Sequence, residues 1–421
     1  MKICVIGLGY VGLCQAVGLA KIGYDIIGVE INKENVDKIN KKIPTIFEDG
    51  LKEILDETVP TRFTATTDMD QAIRDSDATF ICVGTPSKKE GSMSLAQLEH
   101  VAQQIGPEIK KKKSKYYVVV KSTVVPGTCE NVVLPILEKA SGKKLGTGFG
   151  LAMNPEFLKE GTALEDFFNP DRVIIGSSDE DSRRFLKELY RSFKCPFLET
   201  SFSEAEMIKY GSNALLATKI SFINELGNIC KRHGINTNKV AEGMGLDRRI
   251  GPHFLRSGIG FGGSCFPKDV NALIYKATES GYNPRLLRSV LEVNRDQPLK
   301  LLELLEGRGL RGKKIGVLGL TFKAGTDDIR ESPALNTIKE LLMEESILYI
   351  YDPKAMDKVK KIFPHLSYVK SGQEAIDASE IVLILTEWPE FRDLDYKDKL
   401  VIDGKNVFDG KKPKNYEGIC W

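Results

Sequence analysis

Short apolar runs alternate along the first part of the chain with segments whose apolar residues recur at helical spacing. KICVIGLG (2–9), YDIIGVE (24–30), ATFICVG (78–84), YYVVVKS (116–122) and GFGLAMNPE (148–156) are such runs, bounded by Gly, Pro, Asp or Ser. Runs of this kind read as buried strands, and connecting segments such as VGLCQAVGLAKIG (11–23) read as helices. The alternation predicts parallel strands with helical crossovers, a doubly wound α/β sheet. From about Ser203 to Lys300 the pattern turns mainly helical, with the stretch 204–234 as its longest candidate and glycine-rich interruptions between Gly243 and Gly263. At Lys313 strand–helix alternation resumes through KKIGVLGL (313–320), ILYIYDP (347–353), IVLILTE (381–387) and KLVIDGK (399–405). KKIGVLGL echoes the opening KICVIGLG. The expected architecture is therefore α/β: two Rossmann-like doubly wound domains, 1–202 and 301–421, joined by a helical central domain, 203–300, with a long connecting helix.

Composition narrows this picture without redirecting it. The 421 residues are 42% hydrophobic and 28% charged, the profile of a globular chain of two or three domains. A net charge of +2 gives no electrostatic case for nucleic acid, and the run Lys110–Lys113 reads as a solvated helix end. The eight cysteines are scattered without a CxxC pair, and several, such as Cys4 and Cys82, fall in strand-like runs as small core residues. Reduced thiols, no metal site and a cytoplasmic location are expected. The apolar run Ile3 to Ala20 imitates a signal peptide, but it carries glycines at a dinucleotide-binding spacing and lacks a convincing cleavage site. Elsewhere no apolar stretch is long enough for a membrane span.

Gly7-Leu8-Gly9-Tyr10-Val11-Gly12 follows a predicted strand and opens a predicted helix. In that context the first glycine permits a tight turn, the second admits a pyrophosphate, and the third lets helix and strand pack closely. Glu30 ends the second strand eighteen residues after Gly12, where a carboxylate accepts hydrogen bonds from a ribose and repels a 2′-phosphate. This favours NAD over NADP, although Lys33 stands close enough in sequence to soften the exclusion. The later Gly316-Val317-Leu318-Gly319-Leu320 has no third glycine at the same spacing, which leaves a nucleotide such as a UDP group a weaker expectation there.

Gly260-Phe261-Gly262-Gly263-Ser264-Cys265-Phe266-Pro267-Lys268-Asp269 carries the strongest chemical signal. Pro267 suits the first turn of a helix, which puts Cys265 at its N-terminus. The helix dipole and Lys268 would both favour the thiolate, the form that attacks a carbonyl carbon. Read without context, the same residues describe a buried cysteine beside a structural glycine turn equally well.

These motifs resemble the UDP-glucose/GDP-mannose 6-dehydrogenase family through nearly the whole length. The resemblance is carried by VIGLGYVGL (5–13), CVGTP (82–86), KSTVVPGT (121–128), NPEFLKEGTALED (154–166) and NPDRVIIG (169–176). It continues through AEMIKYGSNALLATKISFINE (205–225), the GFGGSCFPKD block and GLTFKAGTDDIRESPA (319–334). NPDRVIIG and FLKEGTA look more like the UDP-glucose branch, and the His-Cys-Ile-Pro pattern of N-acetylated-sugar relatives is absent. The resemblance implies NAD-dependent four-electron oxidation of UDP-glucose to UDP-glucuronate, with GDP-mannose or another nucleotide sugar as the alternative substrate. It also implies a place in uronate and polysaccharide biosynthesis.

It further implies that Cys265 forms first a thiohemiacetal and then a thioester at C6 of the sugar. Lys209 would stabilise the developing oxyanion while Asn213, four residues on and on the same helical face, helps hold substrate. Asp269 would be the general base, Glu156 would orient the hydrolytic water with Thr123, and Glu160 would support the site. Cofactor contacts fall by the same resemblance on Gly7, Gly9, Tyr10, Val11, Gly12, Glu30, Lys33, Thr85, Pro86, Thr123, Glu160, Lys268 and Arg330. Substrate contacts fall on Glu156, Phe157, Leu158, Lys159, Glu160, Lys209, Asn213, Phe254, Phe261, Gly262, Cys265 and Lys323. Arg249 resembles an arginine that reaches a neighbouring subunit's substrate, which implies at least a homodimer.

Some positions depart from the family pattern. Glu30 stands where Asp is usual, Gly91-Ser92-Met93-Ser94-Leu95 replaces an acidic ending, and Lys405 stands where Arg is usual. Two rivals remain: a two-electron hydroxyacid-type dehydrogenase, which gives Cys265 no role, and a nucleotide-binding regulator without turnover.

Overall fold

The computed structural model describes residues 1–408 and 410–421. They divide into two compact units, Met1–Ser212 and Asn213–Trp421.

The first unit is built on an eight-stranded sheet: β1 (Lys2–Ile6), β2 (Asp25–Val29), β3 (Phe63–Thr66), β4 (Ala78–Ile81), β5 (Tyr116–Val120), β6 (Phe149–Met153), β7 (Val173–Gly176) and β8 (Phe197–Thr200). Their spatial order is β3-β2-β1-β4-β5-β6-β7-β8, and every neighbouring pair is parallel except β6–β7. β4, β6 and β7 are buried at every position, which explains their largely apolar sequences. β3, β7, β8 and the antiparallel join were not read as strands from periodicity: FTAT and FLET are short and partly exposed, and VIIG, though buried, is only four residues long. The strand order reverses between β1 and β4, and a doubly wound sheet opens its ligand crevice at such a point, outside the carboxyl ends of the strands. The segments at those ends are Gly7–Gly12 after β1, Cys82–Pro86 after β4, Lys121–Thr123 after β5 and Asn154–Glu160 after β6. The long helix Phe202–Arg232 begins in this unit and continues into the next.

The second unit joins helices Thr237–Gly245, Phe266–Glu279 and Arg285–Glu303 to a six-stranded parallel sheet. Its strands are β9 (Lys314–Leu318), β10 (Ile347–Tyr351), β11 (Ser367–Tyr368), β12 (Ile381–Ile384), β13 (Leu400–Asp403) and β14 (Asn415–Gly418), in the order β11-β10-β9-β12-β13-β14. The helical part has its own apolar cluster of Ala214, Ala217, Phe261, Val270, Ile274 and Val290. Among the described residues no helix is long and apolar enough to cross a membrane.

The two sheets repeat one local device. Glu30, after β2, accepts a hydrogen bond from the Leu8 amide at 3.2 Å; Asp352, after β10, accepts one from the Leu320 amide at 2.8 Å. Asp352 is then closed off, since it also receives the amides of Lys354 and Ala355 and the Trp388 indole N–H. A carboxylate so fully engaged has no acceptor left for a ribose, so the second sheet does not repeat the dinucleotide site of the first.

Candidate active site

The three glycines after β1 are glycine for three different reasons. Gly7 has φ +89°, and a Cβ there would stand 2.9 Å from the Cys82 carbonyl oxygen. A Cβ on Gly12 would fall 1.7 Å from the Gly7 carbonyl oxygen, so helix and turn pack without any space between them. A Cβ on Gly9 would meet nothing within 4 Å, and Gly9 caps helix Tyr10–Lys21 with no side chain on its amides. That open, N–H-rich turn suits a pyrophosphate, and Glu30 beside it suits a ribose, so the residues present fit a dinucleotide. Gly9→Ala is therefore expected to fold like the parent but bind NAD at least about tenfold more weakly. Gly12→Ala is expected to lose about 3 kcal/mol or more of stability. Thermal melts with and without NAD separate the two, and equal melting losses would refute the distinction.

Tyr10 ties this turn to the segment after β6. Its hydroxyl hydrogen-bonds to the Glu48 carboxylate, and the Gly161 amide donates both to that hydroxyl and, at 2.9 Å, to Glu48. Burial, reinforced by Glu48, raises the Tyr10 pKa and keeps the phenol a donor. Glu48 was not found from sequence, because its partners lie 38 and 113 residues away. Thr85 donates to the Thr123 carbonyl at 2.8 Å, joining the ends of β4 and β5. Lys33 and Pro86 are exposed.

Glu156 and Lys209 meet in the interior of the first unit. Their charged atoms are 3.0 Å apart and their side chains are 7% and 5% exposed. Glu156 also accepts the Leu158 amide at 2.7 Å. The Lys209 ammonium stands 5.3 Å from the Phe157 ring, and the Arg172 guanidinium stacks on that ring at 3.9 Å. Arg172 is a further cation here, one that no spacing rule singles out. Lys209 is held by its helix, which Glu206, three residues before it, anchors: that buried carboxylate accepts the amides of Gly127 and Cys129 at 2.6 and 2.7 Å. Burial raises the pKa of Glu206. The same bonds fix the segment that carries Thr123.

In the second unit Cys265 caps helix Phe266–Glu279, with Pro267 in the first turn, as the sequence suggests. Cys265 is exposed, and its Sγ is 3.5 Å from the Ser264 hydroxyl. By contrast, burial pushes the Cys4 and Cys82 thiols up to about 12, consistent with inert core residues. The glycines before Cys265 are set by close approach. A Cβ on Gly262 would stand 2.2 Å from the Glu331 carbonyl oxygen, and one on Gly263, at φ +81°, would meet the Phe322 ring at 2.9 Å. The Gly263 amide donates to the Arg330 carbonyl at 2.9 Å, so this loop is moulded on the turn after β9. Asn294 clamps it from the other side, accepting the Phe261 amide at 2.7 Å and donating to the Phe261 carbonyl at 3.0 Å.

Asp269 is 1% exposed and receives the Asn213 side-chain amide at 2.7 Å. Lys268 pairs with the same carboxylate, so its charge is shared with Asp269 and is not devoted to the thiol. Lys323 lies with its ammonium 5.8 Å from the Phe322 ring. Phe254 is a non-glycine residue at φ +62°, a strained conformation of the kind concentrated at ligand sites. Three of the expected contact cations each sit on a local carboxylate: Lys159 on Asp166 at 2.8 Å, Arg249 on Asp247 at 2.6 Å and Arg330 on Asp328 at 2.7 Å. Any phosphate they serve must compete with that carboxylate.

Comparison with known proteins gives one consistent answer. Residues 1–194 match the NAD binding domain of the UDP-glucose/GDP-mannose dehydrogenase family, 203–296 its central domain and 316–410 its UDP binding domain. The chain is 42% identical to a UDP-glucose 6-dehydrogenase of Haloferax volcanii and 39% identical to a GDP-mannose 6-dehydrogenase of Pseudomonas putida, each over the full length of both proteins. It superposes on the structure of a UDP-glucose dehydrogenase from Pyrobaculum islandicum with a TM-score of 0.95 at 43% identity, covering 100% of this chain and 98% of that one.

Proposed function

The chain belongs to the UDP-glucose/GDP-mannose dehydrogenase family, and from that premise we propose that it oxidises UDP-glucose to UDP-glucuronate. It is an NAD-dependent nucleotide-sugar dehydrogenase. The observation that carries the four-electron reading is Cys265: alone among the eight cysteines it is exposed, and it stands at a helix N-terminus that favours the thiolate. A two-electron dehydrogenase has no use for such a group.

When bound, NAD would supply the hydride acceptor, one molecule for each of the two oxidations. The chain's own residues do the rest. Loss of a hydride and a proton from the C6 alcohol leaves an aldehyde, with Asp269 taking the proton and the Lys209 ammonium stabilising the oxyanion. The Cys265 thiolate adds to the aldehyde carbon as a thiohemiacetal, which also retains the reactive aldehyde. Loss of a second hydride together with the hydroxyl proton gives a thioester, and water oriented by Glu156 and Thr123 cleaves its C–S bond to release the carboxylate and restore the thiol. Asn213, bonded to Asp269, holds both that base and the sugar. Three parts, 1–202, 203–300 and 301–421, divide the work into cofactor binding, covalent chemistry and UDP binding.

A homodimer fits the same reading. Leu215, Phe222 and Ile229 recur every seventh residue or so along the long helix and are 62%, 49% and 51% exposed. Arg249 is 88% exposed, as an arginine serving a neighbouring site would be.

The deciding experiment supplies excess NAD with limiting UDP-glucose, GDP-mannose or UDP-N-acetylmannosamine and counts NADH per sugar. Two per UDP-glucose, with the others inert, is expected. Two with GDP-mannose alone would reassign the substrate, and one per sugar would end the covalent scheme. Sedimentation of the same sample as a monomer would end the dimer reading.

A further inference from the structure

Lys121 has no part in the chemistry just described, yet it is buried at its edge. It ends the β5 run as the first residue beyond that strand and is 8% exposed. Its ammonium donates to the Asn154 side-chain oxygen at 2.8 Å, the one acceptor it reaches among the described residues. Asn154 is itself pinned: the same oxygen accepts the Tyr190 hydroxyl at 3.0 Å, and its amide donates to the Ile174 carbonyl at 2.8 Å. Only Pro155 separates Asn154 from Glu156, so whatever holds Asn154 sets the origin of the Glu156 side chain. The groups that face Lys121 are Cys82 after β4, Glu156 after β6, Tyr190 after helix Glu180–Leu189 and Lys209 on the long helix.

We propose that Lys121 is a positioning residue that holds the Asn154-Pro155-Glu156 corner and sets the charge around the Glu156–Lys209 pair. The inference rests on the proposed reaction and adds a regulator of it. With Lys121 protonated, the three side chains carry one net positive charge, which favours an oxyanion or a nascent carboxylate. With Lys121 neutral, Glu156 and Lys209 cancel and that bias is gone. Burial lowers the Lys121 pKa to about 8, against the opposing pull of Cys82 and Glu156. The switch therefore falls just above neutrality, with the favourable charge present below it and lost as the pH rises.

Two measurements test this. In turnover assays with the sugar that the protein accepts, the parent should show an alkaline fall in kcat centred near 8. Lys121→Met should lower kcat at least about tenfold at neutral pH, change KM less than about threefold, and abolish the alkaline fall. Lys121→Arg, permanently charged, should push the fall beyond the measured range. Variants that only lower the melting temperature while keeping the parent's pH profile would overturn the proposal. Independently of any substrate, carbon-13 lysine NMR of the free protein should show one resonance, absent in Lys121→Gln, that titrates near 8. Its midpoint should move down in Glu156→Gln, which removes an anion, and up in Lys209→Met, which removes a cation. A midpoint indifferent to both changes, or an ordinary one above 10, would refute the coupling even if every sugar proved inert.

Discussion

Cys265→Ala is expected to reduce uronate formation about 10³-fold or more while leaving NAD affinity within about twofold of the parent. The thiol caps helix Phe266–Glu279 from an exposed position, so its removal leaves no cavity. Gly262 and Gly263, which shape the loop, are held by the turn after β9, and Asn294 holds Phe261 beside them, none of it by the sulfur. What disappears is the atom that captures the aldehyde. Without it the second oxidation needs a free hydrated aldehyde, and NADH should approach one per sugar with aldehyde trapped by a hydrazine reagent. Cys265→Ser should accumulate an ester instead, seen in the intact mass, because a serine ester hydrolyses more slowly than a thioester. Acid formation by Cys265→Ala at the parent's rate would disprove covalent catalysis.

Lys209→Met is expected to damage both stability and activity, and a second substitution should repair only one of them. The pair it breaks is buried on both sides, and stranding one member of such a pair costs about 3–5 kcal/mol. In a unit of this size that corresponds to a fall of roughly 6–20 °C in melting temperature. Adding Glu156→Met removes the stranded carboxylate and should restore most of the stability, since buried ion pairs are often no better than apolar replacements. Turnover should remain down by about 10² or more in both, because the oxyanion has lost its ammonium. Calorimetry on the three proteins and a rate measurement check this. A single variant as stable as the parent, or a double variant that regains turnover, would refute the assignment.

The contrast between these two residues shows what a sequence can carry. Cys265 was legible because its signal is local: a glycine turn, a proline in the first helical position and a lysine–aspartate pair all lie within ten residues. The glycines after β1 were legible for the same reason. Their three distinct requirements, positive φ, open space and close packing, belong to one turn and leave a fixed spacing. Most strands buried on both faces announced themselves as apolar runs, although β7, buried at all four positions, was not read as a strand. The short, half-exposed β3, β8, β11 and β14 did not, since partial burial leaves no periodic trace in four residues or fewer.

Charge partners were the other silent feature. Nothing in KSTVVPGT says that Lys121 is buried against Asn154, or that Glu206 draws the amides of Gly127 and Cys129 onto the long helix. Nor does the sequence say that Lys268 turns to Asp269, or that Arg172 covers Phe157. By itself the sequence determined the alternation of the longer strands with helices, the dinucleotide turn, the reactive thiol and the family, because each rests on residues near one another along the chain. Tertiary structure alone decided which charges are buried together and which carboxylates are already engaged. The buried pairs depend on desolvation and on contacts between residues tens to more than a hundred positions apart, while even the local pairs depend on rotamers that no spacing rule fixes.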